Sequence, residues 1–180
     1  MKKAMTFEKA MTPSMKVTEE KETKKEIIII APHPDDEVIG CFEILTDPNI
    51  NPVILYSGDT PANRRDELLK LKSLITIKAQ VFQNSIPPTL LNRNNTFYMP
   101  DPYFETHPKH REWGFIGESL ARSGVEVIFY TTNMTAPYIH EVEKSIEKRQ
   151  LLDKVYKSQS ELWRFDHKYF LFEGRCRWIF

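Results

Sequence analysis

Ile27-Ile28-Ile29-Ile30-Ala31-Pro32-His33-Pro34-Asp35-Asp36-Glu37 is an apolar, β-branched run that leads directly into one imidazole and three carboxylates. A run of this kind reads as an interior strand of a parallel sheet, buried on both faces. Ligands of open α/β folds bind at the carboxyl ends of such strands, which is where His33 and Asp35 to Glu37 fall. His33 and Asp36 stand three residues apart across a turn stiffened by Pro32 and Pro34, so both side chains can bend toward one point. Imidazole nitrogen and carboxylate oxygen suit a divalent ion of zinc type. Asp35, between them, is left free to move protons.

Outward from this stretch, strand and helix patterns alternate. Asp36 to Leu45 places Val38, Ile39, Phe42 and Leu45 at near-helical spacing, and Asp47-Pro48 ends that helix. Pro52 to Tyr56 is a second apolar strand, followed by the turn residues Ser57-Gly58-Asp59-Thr60-Pro61. Asn63 is placed to cap a helix over Arg64 to Leu74, with Leu68, Leu71 and Leu74 inward. A third strand is expected over Ala79 to Phe82. Gln83 to Glu105, with Pro87, Pro88 and several Asn, has no sustained period and reads as a loop that forms part of a substrate mouth. Pro108 to Arg122 reads as a helix closed by Gly124, Val125 to Thr131 as a strand, Tyr138 to Val142 as a shorter one, and Lys144 to Gln159 as a long amphipathic helix. The alternation predicts one α/β domain, a three-layer sandwich around a mostly parallel sheet.

Bulk composition narrows the function classes. The 180 residues suit a single domain, and 25 basic against 25 acidic residues leave no general footprint for nucleic acid or an anionic membrane. Two cysteines, Cys41 and Cys176, exclude a disulfide-dense secreted scaffold and a cysteine-rich zinc cluster. Residues 1–25 are mixed in charge and poor in large apolar side chains, and read as a mobile extension ahead of a domain over 26–180. No run is long and apolar enough to be a transmembrane segment, and the expectation is a soluble, cytoplasmic protein.

His107-Pro108-Lys109-His110 supplies the second half of a site, with two imidazoles on one face of a helix start. Three of the five histidines thus lie in two proline-stiffened motifs at loop-to-helix junctions. If both junctions share a sheet edge, His33, Asp36 and one histidine of the pair can give three ligands, and a catalytic zinc keeps its fourth position for water. His140 reads as a half-buried structural histidine in a strand and His167 as a residue of a charged turn. The aromatics Trp163, Phe165, Tyr169, Phe170, Phe172, Trp178 and Phe180 read as core packing in preference to a homo-oligomer contact.

Pro32-His33-Pro34-Asp35-Asp36-Glu37 followed by Val38-Ile39-Gly40-Cys41 resembles the signature of the LmbE-like (PIG-L) N-acetylglucosaminyl deacetylases. Ser57-Gly58-Asp59 with Arg64-Arg65-Asp66-Glu67-Leu68, His107 to His110, and Tyr156-Lys157-Ser158-Gln159 resemble further landmarks of that family in order, over roughly residues 26 to 160. The resemblance implies a Rossmann-like sandwich holding one Zn2+ per chain through His33, Asp36 and His110, with Asp35 as general base, His107 assisting at the transition state and Arg64 contacting substrate. It implies hydrolysis of the acetamide of an N-acetylglucosamine-bearing small molecule, oligosaccharide or glycolipid. Lys109 stands where the family usually has aspartate, Phe42-Glu43 where it commonly has glycines, and little chain remains beyond residue 160 for a substrate lid. Those departures keep two alternatives in view: a metal-dependent hydrolase of another amide or ester, and a catalytically silent sugar-binding or interaction domain.

Overall fold

A computed structural model describes residues 25–57, 62–134 and 136–179. The predicted extension over residues 1–25 (apart from Lys25), Gly58 to Pro61 of the turn, the Asn63 side chain and Phe180 lie outside the described residues, and since α2 begins at Ala62, Asn63 is a residue of the helix and not its cap. The elements run β1 (Ile27–Ala31), α1 (Asp36–Thr46), β2 (Val53–Tyr56), α2 (Ala62–Leu74), β3 (Ala79–Phe82), β4 (Thr96–Pro100), α3 (Pro108–Arg122), β5 (Glu126–Thr131), β6 (Ile139–Glu141), α4 (Ser145–Val155), α5 (Ser160–Phe165), α6 (Lys168–Leu171) and β7 (Phe172–Cys176).

The strands form one mixed, mostly parallel sheet in the order β3-β2-β1-β4-β5-β7-β6. β1 pairs in parallel with both β2 and β4, and β5 continues the parallel set, while β7 runs antiparallel between β5 and β6. Because side chains alternate along a strand, the isoleucines of β1 divide between two cores. Ile29 packs with Val38, Phe42, Leu68 and Leu152, and Ile28 and Ile30 pack with Phe97, Met99, Phe129 and Trp113. Strand order reverses between β1 and β4, and loops leaving the carboxyl ends of strands on either side of such a reversal diverge to leave a crevice. Both histidine motifs leave from those two ends.

Several readings of the sequence need correction, beginning with the inward stripe of α2, where Leu68 and Leu71 are buried but Leu74, at the helix end, is exposed. The segment Gln83 to Glu105 is not all loop: Thr96–Pro100 is β4, a fully buried strand in the middle of the sheet. Phe97, Tyr98 and Met99 put large apolar groups on both of its faces, so no period of two or 3.6 marks it. The helix expected to Gln159 stops at Val155, where Tyr156 leaves helical geometry (φ −99, ψ 53) and a short 3-10 turn follows over Lys157–Gln159. The C-terminal aromatic region contributes strand β7 as well as core. Trp163 and Phe170 are buried in the first cluster, while Phe165 is 78 % exposed. Gly124 closes α3 with φ 86, as the sequence indicates.

Candidate metal centre at the strand ends

The chain leaving β1 turns sharply, and Asp35 takes φ 114, a left-handed conformation that costs a non-glycine residue on the order of 1–3 kcal/mol. The surroundings hold it there. Ser57 Oγ donates to the Pro32 carbonyl at 2.7 Å, Arg64 donates to the Pro34 carbonyl, and the Asp35 N–H donates to Glu37 Oε2 at 3.1 Å. Asp36 accepts the His33 N–H at 2.7 Å, which turns its carboxylate back over the loop. On the other side of the crevice His107 is the N-cap of α3, its Nδ1 accepting from the Lys109 N–H at 3.2 Å, with Pro108 at the first helical position.

The two loops bring three donor atoms together. His33 Nδ1 lies 3.0 Å from His110 Nε2, and Asp36 Oδ2 lies 3.3 Å from the first and 3.1 Å from the second. Ligands about 2.0–2.2 Å from a tetrahedral zinc stand about 3.3–3.6 Å apart, so this triangle is close to the size such an ion imposes. The ring nitrogens of His33, His107 and His110 also lie within 4.8 Å of one another. His33 and His110 are therefore common to two ligand sets, completed by Asp36 or by His107. The tighter spacing to Asp36 favours the carboxylate and leaves His107 facing the open side, with its ring centroid 4.6 Å from that of His33.

Charge at the site follows from burial and proximity. Burial, then the neighbouring Asp36 charge, pushes Asp35 well above the usual carboxylate range, and Arg64, 3.0 Å from its Oδ2, only partly offsets this. Burial alone would raise Asp36 too, but the charge and hydrogen bond of His110 hold it well below that range. Burial works against protonated His110, yet Asp36 and Glu105 raise its pKa to about 10 in the metal-free protein. His107 is lowered by burial and by the facing His33 and His110. A cation bound here replaces the proton that the imidazole and carboxylate otherwise share.

All six residues singled out by sequence line one cavity of about 340 Å³: His33, Asp35, Asp36, Arg64, His107 and His110. Arg64 reaches it while engaged with Asp35 and the Pro34 carbonyl. Lys109 does not crowd the centre, since its Nζ pairs with Glu112 at 3.1 Å. The segment over Tyr156 to Gln159 is tied to α1 and α2. The Tyr156 hydroxyl donates to buried Glu37, whose pKa burial lifts to about 7, and Ser158 donates through N–H and hydroxyl to Glu67, each at 2.9 Å. Leu162 and Tyr169 from α5 and α6 line the cavity too, so the short C-terminal region does reach its mouth.

Sequence reasoning missed Glu105 and Thr132. Glu105 is buried with Oε2 3.1 Å from His110 Nδ1, and Thr132, just past β5, donates to it. The available signal was Glu105 two residues ahead of His107, but nothing local distinguishes it from a solvated loop carboxylate. A second histidine cluster, Glu43, His140 and Glu173, has donor atoms within 4.8 Å of one another. Arg175 lies in it, paired with Glu43 and 3.5 Å from His140 Nε2, and buried Lys148 Nζ lies 3.3 Å from Glu173 Oε1. His140, on the edge strand β6, thus has its Nε2 between Glu43 Oε2, 3.2 Å away, and the Arg175 guanidinium.

No family model and no curated protein matches this chain. A crystal structure described as that of a conserved protein from Thermus thermophilus matches it with a TM-score of 0.57, covering 86 % of this chain and 95 % of that one at 14 % sequence identity. At that identity the likeness concerns the fold. Among the described residues no helix is long and apolar enough to cross a membrane.

Proposed function

We propose that this protein is a zinc-dependent deacetylase of the LmbE-like type, with a Rossmann-like three-layer fold, that hydrolyses the acetamide of an N-acetylglucosamine-bearing substrate to acetate and free amine. The observation that carries the reading is the triangle of His33 Nδ1, Asp36 Oδ2 and His110 Nε2 with the Asp35 carboxylate beside it. Zinc held by His33, Asp36 and His110 would supply Lewis acidity, polarising a carbonyl and acidifying water. Asp35, its basicity raised by burial and by the Asp36 charge, takes a proton from the attacking water and returns it to the departing nitrogen as the C–N bond breaks. Its pairing with Arg64 sets the direction of the carboxylate. His107 acts in its neutral form. Its Nδ1 is occupied by the Lys109 N–H, so its proton sits on Nε2 and is available to the developing oxyanion. Arg64, between Asp35 and the cavity, is the proposed substrate contact.

The open mouth, with Leu162 and Tyr169 on its rim, also suits another amide or an ester, which is the second reading. Zinc-loaded protein assayed for acetate release against N-acetylglucosamine glycosides with small-molecule, oligosaccharide and lipid aglycones tests the first. Release from at least one is expected. Release from none, alongside hydrolysis of other acyl amides or esters, would replace it with the second.

A further inference from the structure

We propose that Glu105 is a positioning residue of the metal centre, fixing His110 with its proton on Nδ1 so that the Nε2 lone pair faces the cation. This rests on the metal-site reading above and extends it to a residue outside the predicted ligand set. Both Glu105 oxygens are engaged: Oε1 accepts the Thr132 N–H, and Oε2 lies 3.1 Å from His110 Nδ1 and 3.2 Å from the Thr132 hydroxyl. The side chain is almost wholly buried, so water does not compete for these bonds. An imidazole that ligates through one nitrogen commonly donates from the other to a carboxylate, which sets both ring orientation and basicity.

The loop that carries Glu105 is itself held. Asp101, fully buried at the end of β4, accepts the N–H groups of Tyr103 at 2.7 Å and Phe104 at 2.9 Å on Oδ1. Its Oδ2 accepts Tyr138 Oη at 2.7 Å and Trp178 Nε1 at 2.8 Å, which ties the loop to the C-terminal strand region. Asn133 Nδ2 adds a bond to the Phe104 carbonyl at 2.8 Å. Glu105 therefore presents a fixed acceptor to His110 and links the end of β4 to the end of β5. The competing role, a loop anchor serving only the Thr132 backbone, uses Oε1 and leaves Oε2 without purpose toward His110.

Glu105→Gln separates the two roles. A carboxamide has one acceptor oxygen but faces three donors, the Thr132 N–H, the Thr132 hydroxyl, which can reverse and accept, and the His110 Nδ1–H, which cannot. The backbone donor cannot move, so the oxygen stays with Thr132 and the NH2 group is turned on the imidazole. Zinc affinity is then expected to fall about 10- to 100-fold, measured by competition with a chromophoric chelator. Thr132→Val, which keeps the Glu105 to His110 contact, is expected to stay within about threefold of wild type on that scale. Proton NMR of the zinc-loaded wild type should show a slowly exchanging His110 Nδ1–H, lost in the zinc-loaded Gln variant. Equal zinc affinity for Glu105→Gln and wild type overturns the inference and leaves the metal centre standing. If the variant does not fold, a fast-exchanging His110 Nδ1–H in zinc-loaded wild type overturns it. A wild type that takes up no zinc removes the metal-site reading first.

Discussion

Two clusters in this molecule contain histidine and carboxylate at similar spacing, and they differ in where the positive charge comes from. Around Glu43, His140 and Glu173 the chain brings its own cations: Arg175 lies against Glu43 and His140, and Lys148 against Glu173. Two carboxylates face two fixed cations, so a divalent ion there would add uncompensated charge. Around His33, Asp36 and His110 the nearest fixed cation is Arg64, which is committed to Asp35 and Glu67. The titratable partners of Asp36 are imidazoles, and positive charge reaches it as a proton or a metal. Residue type and proximity alone do not separate these sites. The source of compensating charge does, and so does position, since the first cluster lies at the sheet edge and the second at the strand-order reversal.

The contrast breaks most directly at the ligands. His110→Ala should abolish measurable zinc binding, whereas His140→Ala should leave both stoichiometry and affinity unchanged, each read by chelator competition. Comparable losses from the two variants would erase the distinction. Next in size, Asp35→Asn should keep zinc, because the amide oxygen still accepts from Arg64, while turnover falls about 10²- to 10⁴-fold. Loss of zinc with retained turnover would reverse the assignments of Asp35 and the ligands.

Lys148→Met probes the other cluster. It strips the buried Glu173 of its ammonium and leaves the Ile39 and Phe172 carbonyls without their donor, so urea unfolding should show a loss of about 3–5 kcal/mol with zinc affinity intact. The last contrast is in pH dependence. Metal-free His110 has a folded pKa of about 10 against an ordinary value near 6.5, so its proton stabilises the fold fully below about pH 6.5. That contribution is lost as pH climbs through 10. In chelator, the unfolding midpoint of wild type should fall across this window more steeply than that of His110→Gln. Zinc displaces the same proton, so its affinity should rise with pH over the same range.

The sequence made most of the site legible for a physical reason. His33, Asp36, His107 and His110 sit in short proline-stiffened motifs at loop-to-helix junctions, which local pattern makes visible, and the pairing of β1 with β4 brings the two junctions together. Lys109 looked adverse in sequence because spacing does not show where a long side chain pairs, and in the fold it turns to Glu112. Glu105 and Thr132 were invisible because their meeting depends on β4 and β5 lying side by side. β4 was itself unreadable as a short strand buried on both faces. Likewise β7 follows a helical stretch and enters the sheet between β5 and β6, a nonlocal pairing that no local period announces. The kink in α1 has the same origin. Cys41 departs from helical geometry, and the Phe42 N–H it releases goes to Glu173, distant in sequence.

Anomalous scattering from zinc-soaked crystals, collected on either side of the zinc absorption edge, tests the metal centre most directly. One peak is expected, within about 2.2 Å of His33 Nδ1, Asp36 Oδ2 and His110 Nε2, with none beside His140. No peak at that triangle, or a peak held by Glu43, His140 and Glu173 instead, would contradict it.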